Sequence, residues 1–138
     1  MKIAHALLAL ATAAGCVRDD PIAGRRLFVE HCAVCHGAMG LGDGPATARL
    51  TTPPPDLTRI AARRDGVWPM LEVMSIIDGY AQRTNPRAEM PVISDFVEGR
   101  LVKFNHGNGQ TARAPENLLA MVRYLESIQS PEPTGYAP

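Results

Sequence analysis

Cys32-Ala33-Val34-Cys35-His36 is the stretch on which the reading of this chain turns. Two thiols three residues apart, with an imidazole directly after the second, can add across the two vinyl groups of a haem and leave His36 as proximal iron ligand. Cys-x-x-Cys pairs have two other common uses, half a zinc site or a dithiol redox motif. Zinc would need two more ligands at similar spacing, and the only other cysteine is Cys16. A dithiol motif belongs between a strand and a helix inside alternating β and α units, a pattern absent here. One covalent haem per chain is therefore the reading carried outward.

Upstream, Asp19-Asp20-Pro21 reads as a helix start, with Asp20 as N-cap and Pro21 at the first helical position. In the helix that follows, Gly24, Phe28 and Cys32 fall four apart on one face, while Arg25, Arg26 and Glu30 point elsewhere. A helix-interior glycine costs about 0.5–1 kcal/mol relative to alanine, and close approach of another helix would explain it. The expected partner starts near Ala114-Pro115-Glu116. It carries Leu118, Met121, Val122, Leu125 and Ile128 at helical spacing, with Tyr124 alongside.

The run from Gly24 to His36 resembles the N-terminal helix and haem site of class I cytochromes c, with the Gly and the Phe at that family's spacing before the first cysteine. Met121-Val122-Arg123-Tyr124-Leu125 is similar to their C-terminal helix. The resemblance covers about residues 22–129. It implies an all-α cytochrome c fold, with the first and last helices crossing and short helices and loops wrapping one haem.

Downstream of His36, Gly37-Ala38-Met39-Gly40-Leu41-Gly42-Asp43-Gly44-Pro45 is too glycine-rich for a helix and reads as a tight loop. The resemblance adds that such glycines let backbone lie against the haem edge. Thr52-Pro53-Pro54-Pro55-Asp56-Leu57-Thr58 resembles the proline-rich stretch of many bacterial monohaem cytochromes. A proximal histidine usually donates its second ring N–H to a backbone carbonyl. Pro45 and Pro54 are both candidates to supply it.

A helix over about Val67 to Asp78 follows, with Pro69 in its first turn and Gly79 as its stop. Val67, Met70, Leu71, Met74 and Ile77 share an apolar face, so Met70 and Met74 read as core filling. Trp68 could hydrogen-bond a propionate or pack at an interface. The loop Tyr80 to Glu89 then delivers Met90-Pro91. A thioether is a soft ligand suited to haem iron, His/Met ligation raises the reduction potential, and Pro91 removes the helical option for Met90. Met90, which matches the family's sixth-ligand loop, is preferred over Met39, Met70, Met74, His106 or an open site. Ser94 could cap a short helix carrying Phe96, Val97, Leu101 and Val102. Asn105-His106-Gly107-Asn108-Gly109-Gln110 reads as a flexible insertion within 100–113 that reflects a specific partner. Residues 131–138 read as a disordered tail.

The start of the chain reads as export machinery: Lys2, an apolar run from Ile3 to Ala14, then Gly15-Cys16. The run is shorter than the ~20 residues a membrane span needs. Ala13-Ala14-Gly15 before Cys16 resembles a bacterial lipoprotein signal, which makes residues 1–15 a signal peptide, Cys16 the lipidated residue and 16–20 a linker to a domain at 21–130. Cleavage after Ala11-Thr12-Ala13, leaving Cys16 a free thiol, is the alternative. Both place the chain in the periplasm or otherwise outside the cytoplasm, with any membrane association through acyl chains.

The chain has 138 residues, room for one domain, and a formal charge of zero. Nucleic-acid binders present a strongly basic face, so none is expected. Arg59, Arg63 and Arg64 cluster and read as a solvated face. The leading expectation is an electron carrier rather than an enzyme, exchanging electrons with redox proteins and taking no small-molecule substrate. A haem c subunit of a membrane-associated oxidoreductase complex is the alternative. A haem-based ligand sensor or peroxidase would require an open sixth site.

Overall fold

The computed structural model describes residues 21–81, 90–106 and 109–137. Cys16 and the expected signal peptide, N-cap Asp20 and most of the loop leading to Met90 lie outside these residues. Five α-helices organise the rest: α1 (Pro21–His31), α2 (Ala33–His36), α3 (Met70–Ile77), α4 (Ser94–Val97) and α5 (Glu116–Ser127). Short 3-10 turns at Thr47–Arg49, Leu57–Arg59 and Ala62–Arg64 connect α2 to α3.

Helices α1 and α5 form the centre of the fold, and Gly24 explains why they can. A Cβ at Gly24 would stand 2.3 Å from the Ala120 carbonyl oxygen and 2.7 Å from Tyr124 Cβ. Hydrogen there brings the two backbones together, and one turn later Phe28 meets Tyr124 with ring centroids 5.3 Å apart. Leu118, Met121, Val122, Tyr124 and Leu125 of α5 are buried, as the sequence spacing predicts; Leu119 is buried as well, and Ile128, just beyond the helix, is partly buried. Gly24→Val should lower stability by about 3 kcal/mol, since the obstructing atoms are helix backbone, and thermal unfolding of the haem-loaded protein measures it.

The fold is mainly helical, but two small two-stranded sheets accompany the helices, so it matches the all-α expectation only in part. The helix predicted from Val67 begins only at Met70, and Val67–Pro69 is strand β1. Pro69 disfavours helical backbone at Trp68, so helix starts only beyond it. Met70, Val73, Met74 and Ile77 form the buried stripe of α3, and Gly79 ends that helix at φ 80°.

The helix predicted through Val102 covers only Ser94–Val97. Leu101–Asn105 is instead β2, paired antiparallel with β3 (Thr111–Pro115). The expected flexible insertion falls between the two strands of this hairpin, and its Gly107 and Asn108 lie outside the described residues. Val102, Phe104 and Ala114 are buried, and Leu101, Lys103 and Asn105 alternate outward, the period of a strand with one face on a core.

The tail expected to be disordered forms β4 (Gly135–Ala137), parallel to β1 with Trp68 opposite Tyr136. Thr134 N–H donates to the Gly66 carbonyl at 2.9 Å. The Tyr136 hydroxyl bonds Glu126 of α5, which raises the phenol above its usual range. This tail is polar and proline-rich, so it supplies little apolar surface of its own. Its order comes from backbone pairing to a strand elsewhere in the chain.

Candidate haem site

Helix α1 runs through Cys32 into α2, with Cys32 N–H donating to the Phe28 carbonyl and His36 N–H to the Cys32 carbonyl, both at 2.9 Å. Positions i and i+3 of a helix are neighbours, so Cys32 and Cys35 stand on one side of this turn and His36 follows directly. Both thiols are free and partly buried. Burial, and second the charge of Cys35, pushes the Cys32 thiol up to about 11.

A helix end leaves carbonyls without intrahelical partners. Here the glycine-rich loop answers them in succession. Gly37 N–H donates to Ala33 O at 2.9 Å, Ala46 N–H to Val34 O at 2.9 Å, Gly44 N–H to Cys35 O at 3.1 Å and Gly42 N–H to His36 O at 2.8 Å. The Thr47 hydroxyl lies 3.0 Å from the Cys35 carbonyl and 3.1 Å from that of Gly42. The loop is therefore the C-terminal cap of the cysteine-histidine turn, in addition to reversing the chain. Gly44 must come close to do this: a Cβ there would lie 2.5 Å from the Cys35 carbonyl carbon and oxygen.

His36 is partly buried, and burial holds its imidazole below the usual histidine value, offset in part by the Pro55 carbonyl. A neutral imidazole keeps the lone pair that a metal requires. The carbonyl facing the ring belongs to Pro55, so neither Pro45 nor Pro54 supplies it. Nδ1 is buried without a partner at hydrogen-bonding distance. Asp56 fixes the proline segment that carries this carbonyl: its Oδ1 accepts from Thr58 N–H at 2.8 Å and from the Thr58 hydroxyl at 2.6 Å.

The methionine candidates separate clearly. Met70 and Met74 are buried in α3, as the sequence reading has them, and Met39 is 70% exposed. Met90 is partly buried and packs against the core that Cys32 and Ala33 also touch. His106 faces a cavity of about 380 Å³ shared with Met70, Asn105, Arg123, Glu126 and Tyr136. None of Cys32, Cys35, His36 or Met90 lines that cavity. Trp68 is fully buried, and its indole N–H has no partner. Among the described residues no group of three or more His, Cys, Asp or Glu forms a metal-ion cluster.

Two further contacts tie the site to the fold, and neither was evident in the sequence. His31 Nε2 lies 3.4 Å from Asp95 Oδ2, and its ring stands edge-on to Phe96, joining α1 to the helix that follows Met90. Gln129, just beyond α5, is buried and fully satisfied. Its Oε1 accepts from Ala61 N–H at 2.9 Å, and its Nε2 donates to Leu57 O at 2.8 Å and Leu125 O at 2.7 Å. A lone glutamine in a sequence carries no signal for this, because its three partners lie on two separate segments.

Two half-buried thiols on one helical turn, an adjacent imidazole kept neutral, and a buried indole N–H without a protein partner are groups suited to a covalently attached haem. Comparison with known families matches residues 22–129 to Cytochrome c, and the chain belongs to that family. No curated protein and no solved structure matches it. Members bind haem c covalently, so haem c with its iron is the cofactor, and haem-based electron transfer with redox protein partners is the general activity. Cytochrome c domains are typically extracytoplasmic, and among the described residues no helix is long and apolar enough to cross a membrane.

Proposed function

We propose that this protein is a one-electron carrier whose single haem is attached through Cys32 and Cys35 and ligated by His36 and Met90. The observation that carries this reading is the packing of Met90 and of the Cys32 turn against one core, with Met39 on the surface and His106 in a separate cavity. When bound, the haem supplies the ferrous–ferric couple. The chain's part is to hold the two axial groups, keep His36 neutral and shield the iron from other ligands. In this reading the buried, unpartnered Trp68 indole N–H donates a hydrogen bond to a haem propionate, which its lack of a protein partner supports.

The haem-binding unit in this reading spans residues 21–130. Residues 1–15 are a signal peptide, and Cys16 is lipidated at the head of the 16–20 linker, holding the carrier at a periplasmic membrane face. Tethering raises the carrier's effective concentration near membrane-bound partners. Mass spectrometry of the mature protein tests this part, expecting one covalent haem and a diacylglyceryl group on Cys16. An unmodified Cys16 thiol overturns the anchor.

The oxidised protein should show the weak far-red absorption of a thioether on ferric iron, and Met90→Ala should abolish it and open the sixth site to carbon monoxide in the reduced state. A wild-type spectrum without that band, or a variant that keeps it, overturns the axial assignment.

The second reading, a haem c subunit of a membrane-associated oxidoreductase complex, draws on the β2–β3 hairpin between α4 and α5, whose outer face is exposed. Stoichiometric co-purification with a catalytic chain in mild detergent supports it. A freely reducible monomer supports the carrier.

A further inference from the structure

The outer face of the β2–β3 hairpin carries a pair of cations that the fold itself does not use. The register sets Lys103 opposite Arg113, Leu101 opposite Pro115 and Asn105 opposite Thr111, and all six residues stand on the side away from buried Val102, Phe104 and Ala114. Directly opposed side chains on one face of a sheet stand about 5 Å apart at Cβ, and like charges placed this way destabilise the pair. Lys103 and Arg113 are both exposed, and among the described residues neither side chain has a hydrogen bond or ion pair. The nearest carboxylate along the chain, Glu116, is held by the Arg100 guanidinium through two hydrogen bonds. Glu116 N–H also donates to the Arg100 carbonyl at 2.9 Å, which closes the base of the hairpin.

Other basic residues are arranged differently. Arg63 donates to the Asp56 carbonyl, and Arg64 pairs with Glu72. Arg25 and Arg26 are consecutive on α1, where successive side chains diverge by about 100°. Only on the hairpin, among the described residues, does pairing of two backbones hold two free cations directly facing one another. An anion between them would turn the repulsion into a bridged contact.

We propose that this face is a docking surface for an acidic patch on a partner protein, with carboxylates seated on the Lys103–Arg113 rung and apolar contact over Leu101 and Pro115. The proposal rests on the electron-carrier reading, the partner being the donor or acceptor. Two cations beside an apolar rung fit a protein surface. A lipid surface is recognised by clusters of about 4–8 basic residues, and a nucleic acid by a broadly basic face. Contacts of this kind chiefly accelerate and orient encounter and weaken with salt.

The test uses the haem-loaded protein at low salt with poly-L-glutamate as probe, read by amide shifts and titration calorimetry, and Lys103→Glu as the variant. The expected result is shifts centred on residues 101–105 and 111–115, and at least a tenfold loss of poly-L-glutamate affinity in Lys103→Glu. The variant should also melt at the same or a higher temperature, because it converts the rung into an opposite-charge pair. Unchanged affinity in the variant, or shifts centred on Arg25 and Arg26, overturns the proposal. Tighter binding to phosphatidylglycerol vesicles than to poly-L-glutamate overturns the assignment to a protein partner. Binding is read without a redox step, so its failure leaves the absorption test of Met90 standing, and failure of that test leaves the binding result standing.

Discussion

Gly44→Ala should unfold about 10 °C below the parent protein, a loss on the order of 3 kcal/mol. Gly44 is not among the residues with positive φ, so alanine can adopt its backbone conformation and the cost is purely one of contact. The added Cβ would lie 2.5 Å from the Cys35 carbonyl carbon and oxygen and 2.6 Å from the Val34 oxygen. Those are backbone atoms on the turn that carries both thiols and His36, and they already accept from Gly44 and Ala46 N–H groups. The strain is relieved only if loop and turn separate, and separation leaves the carbonyls of Val34 and Cys35 without their caps. Gly135→Ala is the control, since its nearest atom, Val67 Cγ2, is at an ordinary 3.8 Å. Thermal unfolding of the haem-loaded proteins decides the matter. A Gly44→Ala protein within about 1 kcal/mol of the parent would show that the loop yields freely.

Gln129→Leu should cost about 3 kcal/mol, though leucine fills similar space. It removes the partners of Ala61 N–H, Leu57 O and Leu125 O together. Ala61 is fully buried, so water cannot replace the lost acceptor there, and each unsatisfied buried group costs about 1–3 kcal/mol, non-additively. The loss also separates the end of α5 from the segment just after Asp56, which presents Pro55 to His36. Gln129→Glu sharpens the prediction. It keeps the acceptor for Ala61 N–H but sets a carboxylate against two carbonyls, an environment that favours the protonated acid. A carboxyl raised in this way is better tolerated at low pH, so its deficit against wild type should grow as pH rises from about 4 to about 7. Chemical denaturation at the two pH values measures it, and a deficit independent of pH would rule out a buried carboxylate.

Much of the site could be read from the chain because its signals are local. Cys32, Cys35 and His36 sit within five residues, and the Gly24–Phe28–Cys32 spacing describes a single helix face whatever the rest of the chain does. Crossing by the last helix followed from the same periodicity, and the structure places Gly24 against Ala120 and Tyr124. The misreadings lie where the deciding contact is distant. Leu101 and Val102 read equally as helix or strand, because short apolar runs look alike in both, and only pairing with Thr111–Pro115 resolves them. The last residues lack the apolar surface that normally orders a segment, and their order depends on β1, about seventy positions earlier.

By itself the sequence determined the chemistry that this chain can support: two thiols and an imidazole at haem-attachment spacing, and helices with one apolar face each. Such features depend on residue type and short-range spacing, which survive without any knowledge of tertiary contacts. Tertiary structure alone decided which carbonyl faces His36, how the glycine loop caps the thiol-bearing turn, that Gln129 joins α5 to the 57–61 segment, and that Lys103 meets Arg113 across a hairpin. Each depends on groups from separate segments being brought together in space, or on a register between two strands. Spacing along a chain does not encode either one.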